Sequence, residues 1–487
     1  MGVVSAAFPW AGVLILLPLG AAMVAFLWPR VATESGVGAV VVVCLGVTGF
    51  AWQMFGEGTY LHHVGGWGAP LGIDLFADGL SLWMLSVTAT VGLGISLHAA
   101  AGFREREAVR FWPLWMLLLA ALNALFLSAD IFNIYVAFEL IGMAAVALVA
   151  LAGNRDALAG AMGYLLATLL GSLTYLLGVV LLYHGYGTVD ISLLAARVEP
   201  SPVSWAALGL VGAGLLLKTA VFPLHFWLPP AHATAPASVS ALLSALVVKA
   251  SFYILLRFWL ELFSPLIDGQ GVPVLLGLLG AGAVLWGSVQ ALRQGRLKLL
   301  IAYSTVAQIG YLLLAFPLAA AVTTAWYGAL YLILSHALAK AAMFLAAGNL
   351  LRFGGHDRIA DLDRVVQRLP LTAGAIALAG VSIIGLPPSG GFVGKWLLLE
   401  AAVEQGHWEL VGVMILGSLL AAGYIFKVLG YAFTQADTMH ESRAVPAMME
   451  WTALLLACGA VLLGFVAVPL LSMAEIGDPF DSRGIGG

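Results

Sequence analysis

Apolar residues run in blocks of about 18–25, separated by short polar intervals, along almost the whole chain. A helix rises 1.5 Å per residue, so blocks of this length match a hydrocarbon core of about 30 Å. Membrane-crossing strands would instead give segments of about ten residues with alternating polarity. The pattern predicts an all-α membrane protein with about 14 transmembrane helices. The expected spans are 10–28, 37–55, 79–101, 111–128, 130–152, 159–183, 205–227, 236–263, 272–292, 299–317, 320–350, 371–403, 410–435 and 448–472. Two of them, 205–227 and 371–403, contain or border a proline pair and are the least regular. The longest polar stretches, 57–78 and 351–370, are loop-sized.

Basic residues orient these spans. Arg30, Arg104, Arg106, Arg110, Arg155, Arg293, Arg296 and Lys298 all fall in odd-numbered loops, as do Arg352, Arg358, Arg364, Arg368 and Arg443. The even-numbered loops offer only Arg197. The positive-inside rule then expects a multi-pass protein of the cell inner (plasma) membrane, with odd-numbered loops cytoplasmic and both termini outside. No basic residue precedes the first apolar run, so the chain start is not expected to be a signal peptide.

Composition agrees. The 487 residues are 62% hydrophobic and 9% charged, whereas soluble domains carry about 25% charged residues. The two cysteines, Cys44 and Cys458, lie inside apolar runs and read as packing residues. No metal site, disulfide framework or redox cofactor is expected from them. No phosphate-cradling GxxxxGK[ST], dinucleotide fingerprint, CxxC pair or HExxH occurs, so no autonomous catalysis is expected.

The lysines change the picture. Lys218, Lys249, Lys340, Lys395 and Lys427 fall inside apolar spans, and only Lys298 falls in an evident loop. A lysine at the centre of a membrane helix costs roughly 2.5–3.5 kcal/mol on insertion scales, so it persists where it faces a bundle interior or a watery path. Glu139, in NIYVAFELIGMAAVALVA, is expected to be buried in the same way, with Lys218 as its natural partner on a neighbouring helix. Asp130 reads as a helix cap.

Two segments break their helices. In LLLKTAVFPLHFWLPPAHATAPASVSALLSALVVKASFYILLR, Pro223, Pro229 and Pro230 follow Lys218, and a new helix starts near Pro236 and carries Lys249. His225 and His232 flank the break. In IIGLPPSGGFVGKWLLLE, Pro387 and Pro388 precede Lys395. Broken backbone at membrane depth needs a protein interior or a water-filled cavity to satisfy its carbonyls. The plain alternative is a kinked helix with capping histidines, but it gives the lysines no purpose. Interrupted spans in corresponding places suggest an internal repeat. His336 and Lys340 are four apart and share a helix face, and a histidine there can pass protons or simply bond a carbonyl.

These motifs together resemble the antiporter-like, proton-conducting membrane subunits of respiratory complex I, membrane-bound hydrogenases and Mrp-type cation/proton antiporters. The resemblance spans about residues 70–470 and is carried by the K…FPLHFWLPPAHATAP…VS…K block, the GLPPSGGFVGK block and the glutamate of FEL. It implies fourteen core helices with two inverted five-helix repeats and broken helices seven and twelve. The implied domains are 1–110 for helices one to three, 111–263 and 272–435 for the repeats, and 436–487 for the last helix and tail.

By motif, Glu139, Lys218, Lys249, His336, Lys340 and Lys395 are implied as the proton relay, with Pro223, His225, Pro229, Pro230, His232, Pro387 and Pro388 at the helix breaks and gates. Lysine at 395 looks like the Mrp D-type or the complex I N-type subunit, and the segment DIFNIYVAFE looks most like the Mrp D type. The implied function is a proton-translocating subunit of a multi-subunit Mrp-type antiporter. A complex I-type or hydrogenase subunit, or the membrane half of an inorganic-carbon uptake system, remain open. A non-transporting scaffold would have no use for the buried lysines. Implied partners are other membrane subunits, the lipid bilayer and protons, with sodium left open and no nucleic acid. The chain is expected to lack a long lateral helix.

Overall fold

Short polar caps punctuate the apolar runs and set where the helices begin. The structure is a computed structural model describing residues 8–263, 266–267, 271–319, 322–436, 443–478 and 480. Positions 320–321 of the expected eleventh span, and parts of the expected 1–110 and 436–487 segments, lie outside those residues.

The first two helices are α1 (Trp10–Leu27) and α2 (Ala32–Glu57). The polar stretch that follows is a hairpin, in which β1 (Tyr60–His63) pairs antiparallel with β2 (Asp74–Ala77). Four-residue strands are too short for alternation to reveal, so the sequence pattern read only a loop. Asp78 accepts from the Ser81 N–H at 2.9 Å and starts α3 (Gly79–Gly102). Next comes α4 (Glu105–Leu127). Asp130 accepts from Phe132 and Asn133 at 2.8 and 2.7 Å and starts α5 (Ile131–Val149), as its expected capping role requires. Asn154 caps α6 (Arg155–Tyr186) in the same way.

The seventh crossing is interrupted. It consists of α7 (Pro202–Lys218), an irregular turn and α8 (Leu228–Thr234). Then follow α9 (Ala237–Glu261), α10 (Gly271–Arg293), α11 (Leu297–Leu318) and α12 (Thr324–Gly354). The twelfth crossing is interrupted between α13 (Pro370–Ile384) and α14 (Gly390–Glu404). The last two are α15 (Trp408–Phe433) and α16 (Ala447–Phe465). Among the described residues, 12 helices are long and apolar enough to cross a membrane, and the two interrupted ones complete the expected fourteen crossings.

Burial sorts these helices into a centre and a rim. The most apolar windows of α9 and α12 are 100% buried and that of α11 is 89% buried, against 33% for α1 and α15. The rim helices show Leu16, Met23, Leu166, Leu278 and Leu419 to the outside, as a lipid-facing surface should. Close backbone approach joins α10 to α11, where a methyl added to Gly310 would come within 2.6 Å of the Gly280 carbonyl oxygen. Small residues at such contacts let membrane helices pack by dispersion alone. The three central helices carry Lys249, Lys298, His336 and Lys340.

Candidate functional site: a buried lysine series

The first break lies between Lys218 and Leu228. Thr219 ends α7, and Ala220 then turns into the left-handed region at φ 57°. A residue with a Cβ held there stores on the order of 1–3 kcal/mol, a strain that clusters at functional sites. His225 sits in the connecting 3-10 turn, just after Pro223. Pro229 and Pro230 do not break anything: they occupy the first turn of α8, where proline fits a helix. Pro236 caps α9.

Lys218 is buried, and its Nζ donates to Thr168 Oγ1 on α6 at 2.9 Å. The ammonium also lies 5.0 Å from the centre of the Phe138 ring. Glu139 is in electrostatic range, but among the described residues no direct ion pair joins it to Lys218. Glu139 is also only half-buried, on the same face of α5 as the exposed Val136 and Met143. Beside Lys218 is a cavity of about 20 Å³, room for a single water, lined by Tyr164, Trp227, Val247 and Ser251 among others.

Lys249 is fully buried, and its Nζ donates to the Ser244 carbonyl. That carbonyl is within reach because Leu243–Val247 form a π-turn, which shifts the hydrogen-bond ladder by one residue. Ser244 Oγ and Thr305 Oγ1 on α11 share a hydrogen bond of 2.8 Å. Lys340 donates to Ile301 O at 3.1 Å and to Ser304 Oγ, both on α11. Lys395 donates to Ile383 O, Ile384 O and Ser418 Oγ at 2.9, 3.1 and 3.2 Å, and lies 4.3 Å from the centre of the Tyr311 ring. Gly385, at φ 88°, ends α13 in a left-handed turn and leaves those two carbonyls facing the gap. Pro387 and Pro388 continue the gap, and Ser389 caps α14.

His232 and His336 are buried, and among the described residues neither ring nitrogen of either one has a hydrogen-bond partner. His232 stacks on Phe344 with centroids 4.8 Å apart. His336 lies within electrostatic range of Lys249, Lys340 and Lys395, and His232 within range of Lys249, Lys298 and Lys340. The structure thus brings Lys249 and Lys395 within electrostatic range of both His336 and Lys340, which are in range of each other, and leaves Lys218 and Glu139 in range without a direct ion pair among the described residues. The cavity beside Lys218 is walled on one side by Val247 and Ser251 of α9, which flank Lys249 in sequence.

One lysine departs from the sequence reading. Lys298 is not in a loop: it is the second residue of α11, buried, with its Nζ donating to the Ala235 carbonyl. Lys427 lies in its expected span on α15, half-buried, and donates to Leu292 O and Gln294 O at the C-terminal end of α10 at 2.9 and 2.8 Å. Sequence reasoning also missed the neutral partners Thr168, Ser244, Ser304 and Ser418. Hydroxyl residues inside apolar spans, spaced like Thr168 and Ser172, were the available signal.

Among the described residues, none of Lys218, Lys249, Lys340 and Lys395 has a carboxylate within 4.0 Å. They are held by carbonyls and hydroxyls. Such acceptors take a hydrogen bond from an ammonium and from a neutral amine alike, so they hold the side chain without fixing its proton.

Residues 128–421 match the family described as NADH:quinone oxidoreductase/Mrp antiporter, transmembrane. The chain is 35% identical over 487 aligned positions to the N-type subunit of NADH-quinone oxidoreductase of Desulforudis audaxviator, covering 94% of this chain and 96% of that one. It is 29% identical to the D-type subunit of the Na(+)/H(+) antiporter of Bacillus subtilis, covering 82% and 81%. Among solved structures, a chain of the Mrp complex from Dietzia sp. DQ12-45-1b superposes with a TM-score of 0.89 at 23% identity, over 98% of this chain and 99% of that one. A chain of the archaeal membrane-bound sulfane sulfur reductase gives a TM-score of 0.90 at 26% identity, over 98% of both.

Proposed function

The chain belongs to the NADH:quinone oxidoreductase/Mrp antiporter transmembrane family, and from that premise we propose that it is the proton-translocating subunit of a multi-subunit Mrp-type cation/proton antiporter. The observation that carries this reading is the series of buried lysines on neutral partners. A buried ammonium without a counter-ion is expensive, and a well-packed apolar residue would stabilise the fold better. A group that takes up and releases a proton in place gives the arrangement a purpose.

Protons then hop from Glu139 and Lys218, across the cavity beside Lys218, to Lys249, His336, Lys340 and Lys395. Separating Glu139 from Lys218 gates the first hop, since a nearby carboxylate favours the charged lysine. His225 and Pro223 shape the first break, with His232 on α8 beyond it, and Pro387 and Pro388 shape the second. The two halves, 111–263 and 272–435, act as inverted repeats. The basic loops support a plasma-membrane orientation with the odd-numbered loops cytoplasmic and both termini outside.

A second reading has its own support. The 35% identity to an N-type subunit runs over nearly the whole chain, so the same relay in a redox-driven complex is the alternative. The test is to purify the complex in mild detergent, identify its subunits and reconstitute it in vesicles. Cation-driven proton exchange without a reductant supports the antiporter. Proton movement that needs a reductant and no added cation supports the redox-driven assembly.

A further inference from the structure

A buried chain of hydrogen bonds at the basic-loop side joins five helices. Ser238 on α9 bonds His98 on α3, with Oγ 3.2 Å from Nδ1. His98 Nε2 is 3.0 Å from Asn349 Oδ1 on α12. Asn349 Nδ2 reaches Thr372 Oγ1 on α13 at 3.1 Å, and Thr372 Oγ1 reaches Glu450 Oε2 on α16 at 3.0 Å. Ser238, His98, Asn349 and Thr372 are all buried, while Glu450 is half-buried.

The partners and a neutral imidazole set the direction of the bonds. Asn349 Nδ2 also donates to the Met449 carbonyl at 3.2 Å, which can only accept. The amide is therefore oriented with Oδ1 towards His98, so His98 Nε2 carries the hydrogen and donates. In the neutral imidazole Nδ1 is then a lone pair and accepts from the Ser238 hydroxyl. Thr372 accepts from Asn349 and donates to the Glu450 carboxylate. All four donors point towards Glu450. An amide in the middle, which has no readily transferable proton, makes this a poor proton wire. It is a well-satisfied buried network, and such networks rigidify what they join.

What they join is specific. Ser238 lies eleven residues before Lys249, and Thr372 eleven residues before Ile383, whose carbonyl holds Lys395. Both intervals are about three helical turns. We propose that the Ser238–His98–Asn349–Thr372–Glu450 chain is a coupling strut that makes the inner ends of α9 and α13 move together. The helix of Lys249 and the carbonyl cradle of Lys395 then change in step. His98 and Asn349 are positioning residues, with no contact to the transported proton. The inference rests on the relay reading and adds its mechanical link.

The test is a double-mutant cycle in the assembled complex in membrane vesicles. Ser238 and Thr372 share no partner, so independent effects should multiply. Ser238→Ala and Thr372→Val each slow proton transport several-fold, and the double variant is no slower than the slower single one. Ser238→Thr and Thr372→Ser keep the hydroxyls and retain most of the rate. Glu450→Ala, at the half-exposed end, provides a readout independent of transport: amides 237–242 exchange hydrogen faster. Losses that multiply, or unchanged exchange at 237–242, overturn the strut. Failure of the relay reading is distinguished by Lys395→Met, which leaves the strut intact and would then transport normally.

Discussion

Lys395 donates to the carbonyl oxygens of Ile383 and Ile384, at 2.9 and 3.1 Å, across the gap in its own interrupted helix. The break exposes the acceptors, and the same break places the lysine to use them. Lys249 repeats the device by a different route, through a π-turn that presents the Ser244 carbonyl. In both cases irregular backbone at membrane depth is satisfied inside the protein.

The Lys218–Thr168 bond gives one prediction. Thr168→Val removes the hydroxyl that holds Lys218 and leaves the ammonium unsatisfied, a loss of about 1–3 kcal/mol. Proton transport in reconstituted vesicles should fall roughly tenfold or more, and Thr168→Ser should restore most of it. Equal rates for the valine and serine variants would refute the role.

His336 gives a second. Among the described residues neither of its buried ring nitrogens has a partner, so replacing the imidazole by a ring of similar size loses no hydrogen bond. His336→Phe should leave the thermal unfolding of the complex unchanged or raised while proton transport falls. Lost stability with normal transport would reverse the assignment.

The contact between α10 and α11 gives a third. Gly310→Leu forces a side chain into the Gly280 backbone and should abolish assembly, read as loss of the complex in detergent. Gly209→Leu, where nothing lies within 4 Å, should assemble normally. An intact Gly310→Leu complex would show that this interface tolerates separation.

Asp130 gives a fourth, away from the relay. Asp130→Ala removes two backbone contacts at the start of α5 and should destabilise by about 1 kcal/mol. The transport rate per assembled complex should stay near wild type, as measured in vesicles at matched protein content. A transport defect larger than the stability loss would give Asp130 a functional role.

Much of this was legible in the sequence because span length and basic loops are strong physical signals. The breaks at Pro223 and at Pro387–Pro388 were readable because proline cannot continue a helix interior. The π-turn at Leu243–Val247 was not, since no proline or glycine marks it. The β1–β2 hairpin was hidden by strands of four residues. Lys298 was misread because a lysine beside Arg296 looks like a wet loop, yet it turns inward to the Ala235 carbonyl. The Glu139–Lys218 relation was read from residue type alone, and distance separates them where composition could not. The strut from Ser238 to Glu450 joins residues far apart in the chain, beyond the reach of any local pattern.

The central claim is that protons cross by way of the buried lysines, and Lys249 lies in α9, one of the two helices whose most apolar window is 100% buried. The direct measurement is proton flux in vesicles containing the assembled complex with Lys249→Met, at matched protein content. Methionine keeps the packing volume and removes the titratable nitrogen. The account predicts a loss of at least about tenfold with assembly intact. A wild-type flux from a fully assembled Lys249→Met complex would contradict it.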